Sequence, residues 1–259
     1  MVGTIVAVDK PQKQLTIAHE RIDGYMDAMT MAFDVRDAVA LDAAQPGAQL
    51  VAILVVDHKR SWIETAALTN HPADAAAIRR SFMLGAAPGQ TVSDFQLMNQ
   101  DARRISLRQF RGKALALTFI YVRCPLPDFC PFVSKNFADA ERIMRLRPVL
   151  MANTQLLSVT IDPEHDTPDV LRNYRATFFP DAEQASSHWQ FATGTPEQIR
   201  EICEFFGLHY WPESGQITHS LRTVVIDPAG RITHVDPGNA WKPSGLIAEL
   251  ERAAFKTSR

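Results

Sequence analysis

Two thiols close an apolar run in Lys113-Ala-Leu-Ala-Leu-Thr-Phe-Ile-Tyr-Val-Arg-Cys-Pro-Leu-Pro-Asp-Phe-Cys-Pro131. Cys124 and Cys130 fall where a buried strand gives way to an amphipathic helix, at the carboxyl end of a sheet, where α/β folds hold their chemistry. Pro131 suits a first helical turn, in which its missing N–H costs nothing. A sulfur at a helix N-terminus has its thiolate favoured by the dipole and the unpaired amides. Such a pair can exchange electrons, hold a soft metal, or do both. A second set of soft donors lies upstream. Alternation puts Leu15, Ile17 and His19 on one strand face, and Met29, Met31 and Phe33 on one face of the next strand. Two thioethers opposite an imidazole favour Cu(I) or Ag(I) over hard ions, although methionine also serves as core filler.

Two different periods must position these groups. Residues 1–67 alternate with period two and show no helical stretch; strands are expected at Thr4–Val8, Gln14–His19, Met29–Val35, Gln49–Asp57 and Ser61–Ala66. Five short strands with turn signals between them predict a small all-β barrel of OB-like type. An Ala-, Gly- and Pro-rich stretch, 68–90, reads as a linker with a short helix at Asp74–Met83. From 91 to 259 strands and helices alternate. A hairpin at Asp94–Leu97 and Arg104–Leu107 precedes a buried strand, Leu115–Val122, and a helical stripe of Val133, Phe137, Ala140 and Met144. Then come a strand at Leu156–Ile161, a helix at Thr167–Phe179, and a helix carrying Ile199, Ile202, Cys203 and Phe206 on one face. Strands at Leu221–Asp227 and Ile232–Val235, joined by the turn Asp227-Pro-Ala-Gly230, lead to a closing helix at Ser244–Phe255. This order describes an α/β thioredoxin-like sandwich.

The 259 residues carry 46% hydrophobic and 22% charged side chains with a formal net charge of −2, a balance that argues against a nucleic-acid partner. No apolar stretch is long enough for a membrane span, and no leader precedes the first strand, so the chain is either truncated or cleaved at its start or cytosolic. Three cysteines are too few for a disulfide-stapled scaffold, and Cys203 sits in its helical stripe as a structural thiol. His58, His71, His165, His188, His209 and His234 show no paired spacing.

The segment Phe119–Pro131, the run Ser158-Val-Thr-Ile-Asp-Pro-Glu-His-Asp-Thr-Pro168 and the run Thr218-His-Ser-Leu-Arg-Thr-Val-Val-Ile-Asp-Pro-Ala-Gly230 together resemble the Sco/SenC family of copper-delivery proteins. The resemblance implies that Cys124, Cys130 and His219 are copper ligands, and that the two sulfurs form a redox pair able to close as a disulfide. Two thiolates and an imidazole are a soft set suited to Cu(I). Asp162 and Asp166 either orient the ligands, meet a partner, or cap a helix. The family usually has three residues between its cysteines; this chain has five, with Leu126 and Pro127 resembling an insertion. Upstream, Leu15–Glu20 with Ala28–Phe33 resembles the CusF-like periplasmic copper-binding domain, which implies His19, Met29 and Met31 as ligands. At the position of that family's tryptophan this chain has Met26, a third thioether or an open side to the site.

These resemblances imply a two-domain copper metallochaperone of the bacterial cell envelope. Its acceptor would be the copper-A centre of a cytochrome c oxidase subunit, and a thioredoxin-like reductant would keep its thiols reduced. A thiol–disulfide oxidoreductase that prepares target cysteines, which would make the chain an enzyme, and a copper-sequestering resistance protein stand as alternatives.

Overall fold

The computed structural model describes residues 1–22, 25–57, 60–69, 86–127, 129–179, 188–208, 210–213, 216–219, 221–236, 238–239 and 241–255. They form two compact units, Met1–Gly85 with Gly207–Leu221, and Ala86–Phe206 with Arg222–Arg259. The helix expected at Asp74–Met83 lies outside the described residues.

In the first unit, β1 (Val2–Asp9), β2 (Gln14–His19), β3 (Met29–Val35), β4 (Gln49–Asp57) and β5 (Arg60–Thr69) close a barrel in the order β1-β2-β3-β5-β4. The inward residues of the alternation, among them Ile5, Leu15, Ile17, Phe33, Leu50 and Ile63, are almost wholly buried and make the core. The sequence reading that this region lacks a helix is corrected: α1 spans Ala38–Ala43. Six residues are too few to show a 3.6-residue period. The signal that was present is Asp37, whose Oδ1 accepts the Ala40 N–H at 3.0 Å as an N-cap while Oδ2 accepts the Ala66 N–H of β5 at 3.0 Å. Burial pushes this carboxyl up, and the amides that it accepts from oppose the shift.

The second unit is built on a seven-stranded sheet ordered β14-β13-β8-β9-β10-β6-β7, comprising β6 (Gln96–Asn99), β7 (Arg104–Ser106), β8 (Ala114–Ile120), β9 (Thr154–Thr160), β10 (Trp189–Thr193), β13 (Thr223–Ile226) and β14 (Ile232–Asp236). β8, β9 and β10 are parallel, while β13 runs antiparallel to β8 and β6 to β10. Every residue of β8 and β9 is buried, as expected of central strands covered on both faces. The helices are α2 (Cys130–Arg145), α3 (Pro148–Asn153), α4 (Pro168–Ala176), α5 (Pro196–Phe206) and α6 (Pro243–Phe255). Val133, Phe137, Ala140 and Met144 of α2 are buried together, as are Ile199, Ile202, Cys203 and Phe206 of α5. Burial pushes the Cys203 thiol up, which suits a structural role. An antiparallel hairpin, β11 (Tyr210–Glu213) and β12 (Gln216–His219), follows α5 and sets Tyr210 opposite His219.

β10 and α3 were not foreseen. Trp189 of β10 is fully buried, with its ring centroid 4.6 Å from that of Phe191. In five residues, Trp-Gln-Phe-Ala-Thr, too little alternation exists to announce a strand.

His188, at the entry to β10, is buried, and its Nε2 lies 3.1 Å from Thr154 Oγ1. Burial, with the Lys113 charge as a lesser cause, pushes it down to about 4. The fold therefore favours the neutral ring. This contribution is complete above about pH 6.5 and is lost as pH falls toward 4. Chemical denaturation at pH 7 and pH 4.5 should show wild type losing about 2 kcal/mol more than His188→Gln over that interval.

Candidate metal centre

Cys124 and Cys130 are placed by opposite means. Cys130 opens α2, with Pro131 in the first turn, and is 0% exposed. Its Sγ accepts the Tyr121 N–H at 3.4 Å. Cys124 is half-buried in the loop after β8; its amide bonds Tyr121 O at 3.3 Å, and its sulfur faces Leu126 O at 3.9 Å. None of the three cysteines is in a disulfide. The expectation of a favoured thiolate at the helix start is reversed for Cys130. Burial pushes its thiol well above the ordinary value, the hydrogen bond and charge of Cys124 add to this, and the Tyr121 amide opposes it. Without a cation, desolvation outweighs the dipole.

The loop that carries Cys124 is held by two buried carboxylates. Asp166 Oδ2 accepts the Val122 N–H at 3.0 Å and the Thr160 hydroxyl at 2.5 Å. Asp162 Oδ2 accepts Arg123 Nε at 2.6 Å, while its own amide bonds Thr160 Oγ1. Burial raises the Asp166 carboxyl against the hydrogen bonds that stabilise its charge. The capping alternative for these residues falls away, because the N-cap of α4 is Thr167, which accepts from the Val170 amide. On the neighbouring helix, the Tyr174 hydroxyl donates to Ser134 Oγ of α2 at 3.0 Å and is pushed up to about 12 by burial.

The side chains of Cys124, Cys130 and His219 each bring a donor atom within 4.8 Å of the others, and His219 is buried. For metal–sulfur bonds of about 2.3 Å, donors of a three-coordinate site lie about 4 Å apart, so this set fits one soft ion with little movement. Of the six histidines set aside in the sequence, His58, His71 and His209 lie outside the described residues. His165 sits 3.5 Å from Asp162, His188 is in the core, and His234 pairs with Asp236 at 3.0 Å.

In the barrel, β2 and β3 pair so that His19 stands opposite Met29 and Ile17 opposite Met31. His19 is 3% exposed, its Nδ1 lies 2.8 Å from Glu20 O, and its Nε2 is buried without a hydrogen-bond partner. A buried ring nitrogen left unsatisfied costs about 1–3 kcal/mol, which a bound cation would offset. Met29 is 48% exposed, whereas Met31 and Met26 are partly buried against the barrel core. Met26 is fixed by an antiparallel bridge to Ile22. One positioning residue had no sequence signal. Gly3 lies opposite His19 in β1, and a Cβ there would meet Ala18 O at 2.7 Å and His19 Cα at 2.9 Å.

The comparisons with known proteins come down on two stretches. Residues 85–254 match the SCO1/SenC family model, and residues 1–64 match the model described as copper binding periplasmic protein CusF. A SCO1 protein homolog of Bacillus subtilis is 24% identical over 54% of this chain and 70% of its own length. Across the first relatives the chain spans between 53% and 70% of their lengths. Among solved structures, Bradyrhizobium japonicum ScoI with copper bound is 22% identical, covering 63% of this chain and 99% of that one with a TM-score of 0.51. BsSco, described through a disulfide switch as a member of the Sco family of cytochrome c oxidase assembly proteins, is 22% identical over 66% of this chain and 97% of its own, with a TM-score of 0.54. At these identities the structures show the shared thioredoxin-like fold.

Two outcomes test the placement of the donors. Asp166→Ala should cost about 1–3 kcal/mol in denaturation, because the Val122 amide and Thr160 hydroxyl lose their acceptor, and should speed alkylation of Cys124 while Cys130 and Cys203 stay protected. Gly3→Ala should lower barrel stability by about 1–3 kcal/mol through overpacking against β2, with the His19 ring resonances shifting most.

Proposed function

Because the chain belongs to the SCO1/SenC family, we propose that it is a copper metallochaperone that holds the ion between Cys124, Cys130 and His219 and passes it to the copper-A centre of a cytochrome c oxidase subunit. The observation that carries this reading is the approach of two sulfurs and one imidazole to within 4.8 Å. Soft sulfur selects Cu(I), and loading replaces the two thiol protons with the metal. Cys130 is sealed from solvent and His219 nearly so, while Cys124 is half-buried. An incoming ligand from the acceptor therefore reaches the ion from the Cys124 side. Exchange follows from this: the acceptor's donor binds first, Cys124 leaves, and Cys130 with His219 release last.

The barrel is a second cargo position for Cu(I), held by His19, Met29 and Met31 with Met26 as a further thioether. Its buried, unsatisfied Nε2 and its exposed Met29 supply one fixed and one accessible donor. In place of an aromatic cover this chain offers Met26, which favours release over storage. A location in the bacterial cell envelope is supported by the periplasmic description of the CusF model and by a SCO1/SenC family lipoprotein of Bacillus anthracis among the similar structures. No helix among the described residues is long and apolar enough to cross a membrane.

A second reading, thiol–disulfide exchange on target cysteines with a thioredoxin-like reductant, draws on the hydrogen bond between the Cys124 and Cys130 side chains. Thiolate attack by the accessible Cys124, resolved by Cys130, would serve it. Disulfide reduction that survives His219→Ala would favour this second reading over delivery.

Cu(I) titration of the reduced chain against a competing chelator should give two equivalents. Cys124→Ser and Met29→Ala should each retain one, and the double variant none. Two equivalents retained in Cys124→Ser would contradict the assignment.

A further inference from the structure

At the end of the sheet opposite the cysteines, the second unit has a cavity that the copper chemistry does not use. Its floor is apolar: Val92, Leu107, Phe110, Leu115 and Ile226 line it, and all five are buried. Leu115 of β8 stands opposite Ile226 of β13, and the single helical turn Leu107–Phe110 supplies two more of these side chains. Lys113, just before β8, lines the cavity as well. The length of that strand, about 20 Å, therefore lies between the cavity and the loop that carries Cys124.

The rim is charged, with Asp94 and Asp227 beside Arg108, Arg111 and Lys113. Both carboxylates are already engaged. Asp94 accepts the Arg108 amide at 2.9 Å and lies 3.9 Å from its guanidinium, and Asp227 pairs with Arg231 at 3.0 Å. No carboxylate meets Arg111 or Lys113 among the described residues. Arg111 instead donates from Nη2 to Val92 O at 3.3 Å, and its guanidinium lies over Gly230, in the space that a Cβ there would take. Gly230 has φ +76°, and its turn is tied down by the Val92 N–H to Gly230 O and the Gly112 N–H to Pro228 O, each 2.9 Å. The fork of Arg111 is thus set before any ligand arrives, which lowers the ordering cost of binding. Lys113 adds positive charge at longer range, since its field also reaches His188.

Size and chemistry restrict the occupant. The cavity measures about 50 Å³, room for about four water-sized groups. Five apolar side chains give water few partners, whereas an alkyl group gains by being buried there. A planar guanidinium matches the two oxygens of a carboxylate. Asp94 and Asp227 on the same rim disfavour a second negative charge on the ligand. We propose that this cavity binds a short-chain monocarboxylate, its alkyl part on the apolar floor and its carboxylate on Arg111. The acid is a free molecule or the C-terminal carboxylate of a peptide that ends in a small apolar residue. The site does not rest on the copper-carrying function given above.

Titration of the full chain, isotopically labelled, with sodium butyrate at fixed ionic strength tests the site by amide resonances. Those of Gly112, Lys113 and Gly230 should shift to saturation with a dissociation constant of about 1 mM, as so few contact atoms allow. Arg111→Gln should weaken butyrate by about tenfold or more, because the charge-assisted pair is lost. Arg111→Lys should recover only part of that loss, and it carries the comparison alone should Arg111→Gln fail to fold. Arg103→Gln, which removes a charge that does not line the cavity, should stay within about twofold of the parent. Shifts that never saturate, equal shifts from inorganic phosphate, or equal losses in Arg103→Gln and Arg111→Gln would overturn the proposal, since each marks general surface charge. The peptide Ala-Ala-Val with a free carboxyl end, set against its amide, separates the two sources. Binding tighter than that of butyrate and lost in the amide identifies a chain end as the ligand, and weaker binding identifies the free acid.

Discussion

Two sulfurs can serve one ion only if the backbone on both sides of them is fixed, and here that constraint is met by hydrogen bonds at the end of a buried strand. Cys130 is immobilised by the start of α2, by its burial and by the Tyr121 amide. Cys124 sits on a loop that would otherwise wander across five intervening residues. Asp166 and Asp162 hold its base through Val122 and Arg123. Thr160 connects the two carboxylates, donating to one and accepting from the amide of the other. The acids are thus part of the scaffold of the centre, and their cost of burial is offset by the bonds they accept.

The two donor sets solve different problems. The cysteine centre is deep, with one accessible donor, and would bind by exchanging protons for metal. The barrel set consists of neutral donors, so copper would bring net positive charge to it and no proton would need to leave. Its imidazole is held from behind by the Glu20 carbonyl and Gly3 comes close to the His19 backbone, while Met29 stays at the surface. A neutral, partly open site and an anionic, closed one are suited to holding the same ion for different lengths of time. Membership of the SCO1/SenC family and the CusF match give each stretch its own relatives.

Much of this was legible in the residues. Period-two alternation located all five barrel strands, β2, β3 and β4 to the residue, and the apolar run expected as a strand at Leu115–Val122 is β8, Ala114–Ile120, before the cysteines. The helical stripes of α2 and α5 emerged as written. What stayed hidden was short or nonlocal. α1 is shorter than two helical turns, and β10 reveals itself only through the burial of Trp189 against Phe191. The ionisation of Cys130 was misjudged because a sequence displays the helix start but not the depth of burial. Of the roles open to Asp162 and Asp166, capping falls away, and holding the ligand loop is supported by the Val122 and Arg123 contacts, which join residues about forty positions apart. The steric need at Gly3 depends on a neighbouring strand and has no local signature.

The central claim is that Cys124, Cys130 and His219 bind one copper ion together. X-ray absorption on the Cu(I)-loaded chain with Met29→Ala and Met31→Ala tests it most directly. The account predicts two sulfur neighbours at about 2.3 Å and one nitrogen at about 2.0 Å, the nitrogen disappearing in His219→Ala. A first shell of sulfur alone, or one unchanged in His219→Ala, would contradict it.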